Sequence, residues 1–126
     1  MSLRTPIKHA KGLGSAKDGV HHWLIQRLTA VALIPLFVWF IVSMLMLMGA
    51  DHQTVVNWMS SPIVTVLLVL FLGVLFYHSE LGLRVVLEDY IPAHGARVAA
   101  LVLSRFFHIF LAAAGILAVL RIAFGA

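Results

Sequence analysis

Three long apolar runs constrain the fold of this chain more strongly than any other feature of its sequence. They cover residues 28–48, 62–87 and 98–124. Each run is long enough to cross the ~30 Å hydrocarbon core of a bilayer as a helix, which takes ~20 residues. With 126 residues, 62% hydrophobic and 11% charged, the chain is too apolar for a water-soluble domain and too short for a fourth span. The sequence predicts one all-α membrane domain, 1–126, with three transmembrane helices.

Prolines and glycines mark where the predicted helices begin and end. Pro62 suits the first turn of the second helix, because the N–H that proline lacks has no partner there. Pro92 and Gly95 are typical of a turn and separate the second helix from the third. Residues 1–27 precede the first apolar run, and we interpret them as a flexible segment that leads into the first helix.

The nine Lys and Arg residues predict the orientation, because positive charge collects on the cytoplasmic side of short membrane loops. The connection 49–61 has no basic residue, whereas basic residues precede the first helix and flank the second connection. This distribution predicts a cytoplasmic tail, 1–27, and a periplasmic C-terminus. The net charge of +4 then reflects topology and not nucleic-acid binding. The residues that support this orientation are Arg4, Lys8, Lys11, Lys17, Arg27, Arg84, Arg97 and Arg105, and only Arg121 lies at the far end.

The sequence has no cysteine and seven histidines. Without cysteine the chain has no disulfides, no thiolate metal sites, no cysteine-ligated iron–sulfur cluster and no cysteine nucleophile. Any metal is therefore held by histidine or carboxylate. Seven histidines is a high count for so apolar a chain, and the informative ones are those within the apolar runs.

One stripe of the second helix carries His78, Gly82, Val85 and Asp89. At ~100° per residue the other three positions fall within about 40° of His78 around the helix. A haem ligated by His78 would explain the neighbouring glycine, because a flat macrocycle needs a low helix surface beside the imidazole. The alternative is a packing histidine that bonds a carbonyl of a neighbouring helix. Spacing alone leaves both interpretations open.

Other ionisable residues at membrane depth also have two interpretations. Glu80 and Arg84 are spaced to neutralise each other, although Glu80 is also a candidate for a proton relay. His108 lies at about the depth of His78, so it either completes a bis-histidine site or bonds across the bundle. Asp89 and Tyr90 lie at the interface, where they anchor the helix or present a hydrogen bond and a proton to a quinone carbonyl.

Two motifs resemble a known family. Residues 77–90 read His-x3-Gly-x6-Asp-Tyr from His78 to Tyr90, and residues 27–30 read Arg-x-Thr-Ala. This pattern resembles the small hydrophobic membrane anchor, the D subunit, of succinate dehydrogenase. The segment 12–17 is similar to the tails of its alphaproteobacterial members. Motif order, spacing and the three-span topology extend the resemblance over essentially the whole chain.

The resemblance implies roles for individual residues. His78 would be one axial ligand of a haem b, with the other histidine supplied by a larger cytochrome b anchor subunit, itself a three-helix membrane protein. Arg27 would pair with a haem propionate or line the quinone site, since a guanidinium suits a carboxylate. Tyr90 would donate a hydrogen bond to a ubiquinone carbonyl, and Asp89 would orient a partner arginine or supply a proton. Gly82 is the glycine of the motif.

The resemblance also implies the assembly and the reaction. Electrons from succinate would pass through a flavoprotein subunit and an iron–sulfur subunit to ubiquinone, in the inner (plasma) membrane of a bacterium. The chain would catalyse nothing alone. Two other functions stay open: a small proton or metal transporter or channel subunit using His78, Glu80 and His108, and the anchor of a fumarate reductase. The choice of ubiquinone or menaquinone and the direction of electron flow also stay open.

Overall fold

The computed structural model describes residues 16–125 and contains four helices. They are α1 (Ala16–Met46), α2 (His52–Met59), α3 (Pro62–Tyr90) and α4 (His94–Phe124). Helices α1, α3 and α4 are long and apolar enough to cross a membrane, which agrees with the three predicted spans. Residues 1–15 of the predicted tail lie outside the described residues, including Arg4, Lys8, Lys11 and the start of the segment 12–17.

Helix α1 begins earlier than its apolar run. Residues 16–27, which were expected to form a flexible segment, are helical. Asp18 lies in the first turn, where a carboxylate stabilises the positive end of the helix. The side chains of Gln26 and Thr29 contact α3. The polar first turns of α1 therefore pack on α3, as the apolar remainder of the helix does. Hydropathy could not locate this start, because the buried side of the segment is polar.

Helix α2 lies in the connection 49–61, for which the sequence predicted no helix. Asp51 caps it, since the backbone N–H of Thr54 donates to Oδ1 of Asp51 at 2.8 Å. Gly49 has a φ of 80° between α1 and α2, a conformation that glycine adopts without strain. The Trp58 ring stacks on Trp39 of α1 with their centroids 5.9 Å apart. The helix therefore closes one end of the bundle.

Helix α3 is central, with α1 and α4 packed on different sides of it. Among the described residues, the backbone of α4 lies close to α3 and α2 but not to α1. Helices α1 and α3 are antiparallel, because Phe40 stacks on Phe71 near one end and Gln26 lies beside Gly82 near the other. The hydrophobic core lies at the end where α2 packs, which we call the α2 end. It contains Val64, Leu68 and Val119, with Trp39, Phe40, Trp58, Met59, Val69 and Leu72 packed around them.

The opposite end, which we call the turn end, is where residues 91–93 join α3 to α4. Pro92 lies in this turn as expected, but Gly95 belongs to the first turn of α4. Pro62 occupies the first turn of α3, as the sequence predicted. Most large apolar side chains of α1, α3 and α4 point outward and are exposed on the isolated chain. Such surfaces are covered by lipid or by other membrane proteins.

Candidate functional site

His78 lies on the side of α3 that faces α1. Its Nδ1 is 2.8 Å from Oγ1 of Thr29, which is also 2.9 Å from the carbonyl oxygen of Ile25 and 3.0 Å from that of Gln26. A carbonyl oxygen only accepts, so all three contacts are satisfied when the Thr29 hydroxyl donates to the helix backbone and Nδ1–H of His78 donates to Thr29. The lone pair of the imidazole is then on Nε2.

An apolar groove begins at His78 and follows the contact between α1 and α3. It has a volume of about 400 Å³ and is open on one side. Among the described residues, His78 forms its hydrogen bond through Nδ1 alone. A neutral imidazole with an unbonded Nε2 beside an apolar surface is the arrangement in which histidine ligates haem iron, so these residues fit a haem. The lining residues are Ala30, Leu33, Ile34, Phe37, Val38, Leu75 and His78.

Gly82 lies one turn from His78 and faces α1. A Cβ atom added at Gly82 would meet the Nε2 of Gln26 at 3.8 Å, which is an ordinary van der Waals distance. Helix α1 therefore leaves room for an alanine here. Packing within this chain does not require the glycine, and the prediction that Gly82 keeps the helix surface low beside a cofactor stays a prediction.

Arg27 lies on the exposed side of α1. Its Cζ is 5.8 Å from the centroid of the Trp23 ring, a cation–π arrangement that holds the guanidinium near the helix surface. Arg27 precedes Thr29 by two residues, or about 3 Å along the axis, toward the turn end. The guanidinium thus lies between the level of His78 and the turn end, and its polar N–H groups remain available to a partner or ligand.

Asp89 and Tyr90 are the last residues of α3 and lie at the turn end. Both side chains are exposed, Tyr90 by 81%. Tyr90 is twelve residues from His78, which is about 18 Å along the helix. The structure does not bring Tyr90 to the His78 groove. It places Asp89 and Tyr90 on a surface that residues 16–125 leave uncovered.

His108 is buried between α4 and α3 and is hydrogen-bonded through both ring nitrogens. Its Nδ1 donates to the carbonyl oxygen of Ser104 at 2.7 Å, and its Nε2 accepts from the hydroxyl of Ser79 at 3.2 Å. The rings of Phe76 and Phe107 lie edge-on to it. His108 therefore bonds across the bundle, on a different side of α3 from His78, and the two imidazoles do not share a site.

The expected pairing of Glu80 with Arg84 is wrong. Nε of Arg84 binds Oε1 of Glu88 at 3.0 Å, one turn further along α3. Glu80 instead lines a groove between α3 and α4 together with Arg105 and His108. Glu88 lies nearer the turn end, where both charges reach solvent more easily than they would at the depth of Glu80.

The transporter hypothesis required a path through His78, Glu80 and His108. The structure separates these groups, since His78 faces α1 while Glu80 and His108 line a groove between α3 and α4. No group of three or more His, Asp or Glu side chains in residues 16–125 is placed to hold a metal ion. The described part of the chain thus contains no continuous path of these groups.

Sequence reasoning gave no role to three polar side chains of α1. The sequence indicated Thr29 only as part of the Arg-x-Thr-Ala motif, although its side chain is hydrogen-bonded to His78. His22 and Gln26 were not singled out, yet the buried Nε2 of His22 and Oε1 of Gln26 have no hydrogen-bond partner among the described residues. The signal was their spacing, since positions 22, 26 and 29 repeat at helical intervals on one face.

The chain was compared with known protein families and proteins. The model of the succinate dehydrogenase/fumarate reductase transmembrane subunit family matches residues 1–120. The chain belongs to this family. The resemblance predicted from the two motifs is therefore confirmed, and the chain is a multi-pass membrane protein.

Several relatives in the family are named hydrophobic membrane anchor subunits of succinate dehydrogenase. The one from Rickettsia conorii is 37% identical over 106 residues, covering 83% of this chain and 84% of the relative. The one from Rickettsia bellii is 35% identical over 117 residues, covering 93% and 94%. The one from Paracoccus denitrificans is 33% identical over 127 residues, covering 100% and 97%. No solved structure gives a significant match.

Proposed function

We propose that this chain is the small anchor of a bacterial succinate:ubiquinone oxidoreductase and contributes one axial ligand to a shared haem b. The observation that carries the haem proposal is the state of His78, with Nδ1 bonded to Thr29 and Nε2 free beside an apolar groove. The names of the relatives support the assignment to succinate dehydrogenase. The proposed location is the inner membrane.

In this proposal His78 holds the haem iron from one side. The apolar side chains of the groove, Leu33 and Phe37 among them, cover the macrocycle and keep water from it. Arg27, nearer the turn end, neutralises a propionate with its guanidinium. When bound, the haem would supply one-electron transfer within the membrane.

The second axial ligand comes from another chain, the larger cytochrome b anchor. Two features support this. The only other histidine described inside an apolar run, His108, is occupied by Ser79 and Ser104. The groove at His78 is open, so a neighbouring membrane helix has access to the side that α1 and α3 leave free. The flavoprotein and iron–sulfur subunits dock at the turn end.

Quinone binds at the turn end in this proposal. The exposed phenol of Tyr90 donates a hydrogen bond to a quinone carbonyl, and Asp89 beside it orients a partner arginine or supplies a proton. The chain has no cysteine for a cluster, so it receives electrons only through its partners. By itself it is not an enzyme.

The haem proposal is tested on the intact complex purified in detergent. His78→Ala is expected to abolish the b-type bands of the reduced-minus-oxidised absorbance spectrum. His52→Ala is the matched control, because His52 is exposed at the start of α2 and far from the groove. If His78→Ala keeps these bands while all subunits are present, His78 is not the ligand.

The quinone proposal is tested by separating two activities. Tyr90→Phe should slow succinate-driven reduction of ubiquinone and leave succinate oxidation by an artificial dye unchanged. Tyr77→Phe is the control, because Tyr77 is the only other tyrosine and lies about 20 Å away along α3. Equal loss of both activities in Tyr90→Phe would indicate failed assembly. An assembled Tyr90→Phe complex that reduces ubiquinone at the parental rate would contradict a role at the quinone.

A second candidate function is the anchor of a fumarate reductase. The description of the matching family names both succinate dehydrogenase and fumarate reductase, which supports this second candidate. Two sets of rates in the same preparation decide between them: succinate oxidation with ubiquinone or menaquinone as the electron acceptor, and fumarate reduction with ubiquinol or menaquinol as the electron donor.

A further inference from the structure

The hydroxyl of Thr29 joins two helices at one atom. Thr29 Oγ1 lies within 3.0 Å of the Ile25 and Gln26 carbonyl oxygens of its own helix and within 2.8 Å of Nδ1 of His78 on α3. Of the hydrogen bonds described between side chains of α1 and α3, this is the only one. Both residues are partly buried, so water competes little for the contact.

The single hydrogen of the Thr29 hydroxyl determines which group donates in this hydrogen bond. Thr29 has one hydroxyl hydrogen, and its helix offers two carbonyl oxygens that can only accept. The hydroxyl therefore donates along its own helix, as threonine commonly does toward the carbonyl four residues earlier. Oγ1 is left as an acceptor, and the hydrogen of the 2.8 Å contact comes from Nδ1 of His78.

We propose that Thr29 is a positioning residue that fixes the ring orientation and the tautomer of His78, and so tunes the affinity and potential of the haem that His78 ligates. The inference rests on the function proposed above. It adds a residue to the site that acts through His78 and does not touch the iron.

Two physical effects connect Thr29 to the haem. A bond at Nδ1 prevents rotation of the ring about its own axis, so Nε2 keeps pointing away from Thr29. It also increases electron density on the imidazole, which makes Nε2 a stronger donor and stabilises ferric iron relative to ferrous iron. Loss of the bond should therefore weaken haem binding and raise the midpoint potential.

The test compares Thr29→Val and Thr29→Ser in the purified intact complex. Valine keeps the shape of the side chain but cannot accept a hydrogen bond, whereas serine keeps the hydroxyl. We expect Thr29→Val to weaken haem retention about tenfold, in line with the loss of a residue that supports a metal ligand. The haem that remains should have a higher midpoint potential in a redox titration, and Thr29→Ser should restore both values.

Ser43→Ala is the matched control for removal of a hydroxyl from α1. Ser43 is buried and donates to the carbonyl oxygen of Trp39 at 2.8 Å, but it has no contact with His78. Its loss should leave haem retention and potential unchanged. A Thr29→Val complex with the haem retention and potential of the parent would overturn the inference.

His78→Ala in the same series distinguishes the two proposals. If His78→Ala loses the haem while Thr29→Val behaves like the parent, the ligand proposal stands and the role of Thr29 is wrong. If His78→Ala keeps the haem, the ligand proposal itself is wrong. If Thr29→Val fails to assemble, Thr29→Ala, with a smaller side chain and no hydroxyl, gives the same readout. A Thr29→Ala complex with the haem retention and potential of the parent, or failure of both variants to assemble, would make Thr29 a packing residue only and overturn the inference.

Discussion

The two histidines within the apolar runs, His78 and His108, lie on different sides of α3 and differ in their hydrogen bonds. His108 uses both ring nitrogens within the chain, Nδ1 toward Ser104 and Nε2 toward Ser79. Among the described residues His78 uses only Nδ1, toward Thr29. Adjacent residues of α3 thus bond different neighbouring helices, His78 with Thr29 of α1 and Ser79 with His108 of α4.

This difference bears on how a proposed ligand differs from a packing histidine in a membrane helix. Depth in the membrane does not distinguish them, since counting from the turn places the two histidines at similar levels. The number of ring nitrogens that the described residues satisfy does distinguish them. A polar atom left unsatisfied in an apolar environment is costly, so the unbonded Nε2 supports the proposal that His78 has a further partner.

The largest expected effect comes from removing the packing histidine. His108→Ala deletes the bonds to Ser79 and Ser104 and leaves a cavity, so we expect a loss of about 1–2 kcal/mol in the stability of the α3–α4 contact. Haem content per assembled complex should stay at the parental level. Thermal unfolding of the complex and its haem spectrum measure the two quantities.

Ser79→Ala is the matched variant for this prediction, because it removes the same interhelical bond without a cavity. It should cost less stability than His108→Ala. If either variant loses haem while the complex keeps its stability, the two sides of α3 are not functionally separate and His108 belongs to the haem site.

The sequence predicted the features that depend on strong local signals. Three apolar runs located three helices, and Pro62 located the start of α3. The spacing from His78 to Tyr90 was enough to identify the family. Each of these signals lies in residue type and interval alone, so no tertiary contact had to be known.

The features that were missed depend on tertiary contacts or on short polar signals. The start of α1 at Ala16 is polar on its packed side, so hydropathy placed the boundary at residue 28. Helix α2 has eight residues and a cap at Asp51, a signal that is easily read as a loop. Glu80 and Glu88 are each four residues from Arg84, so the spacing allows Arg84 to form an ion pair with either. Only the surroundings of each carboxylate in the fold show that Glu88 is the partner.

A smaller effect distinguishes the two sides of α3 by their packing. A Cβ atom at Gly115 of α4 would lie 3.3 Å from Cδ1 of Leu72, so the leucine must shift, whereas a Cβ atom at Gly82 has ordinary clearance from Gln26. Alanine suits the middle of a helix better than glycine by about 1 kcal/mol, but crowding of the α3–α4 contact offsets this gain at Gly115. The unfolding temperature of the Gly115→Ala complex should therefore be lower than that of the Gly82→Ala complex. The reverse order would place the tighter packing on the α1 side.

The ion pair on the outer surface of α3 should contribute less again. Arg84 and Glu88 are both 44% exposed, so solvent screens their attraction. Glu88→Gln is expected to reduce stability by about 0.3–0.5 kcal/mol at low salt and by less at high salt. Glu80→Gln is the comparison, because Glu80 has no salt-bridge partner within 4.0 Å among the described residues. A loss independent of salt would show that Glu88 has another role.

The smallest effect belongs to the α2 end, where neither histidine lies. Hydrogen bonds from the side chain and then from the backbone N–H of Thr54 hold the pKa of Asp51 below its ordinary value of 3.8. Because the pKa is lower in the folded chain, the cap stabilises α2 fully above pH 3.8 and loses this contribution as the pH falls through the folded value. Amide hydrogen exchange should therefore show α2 losing protection on acidification, relative to intrinsic exchange rates. In Asp51→Asn, which caps without titrating, protection should not change over the same pH range, and an identical acid response in both would place the titrating group elsewhere.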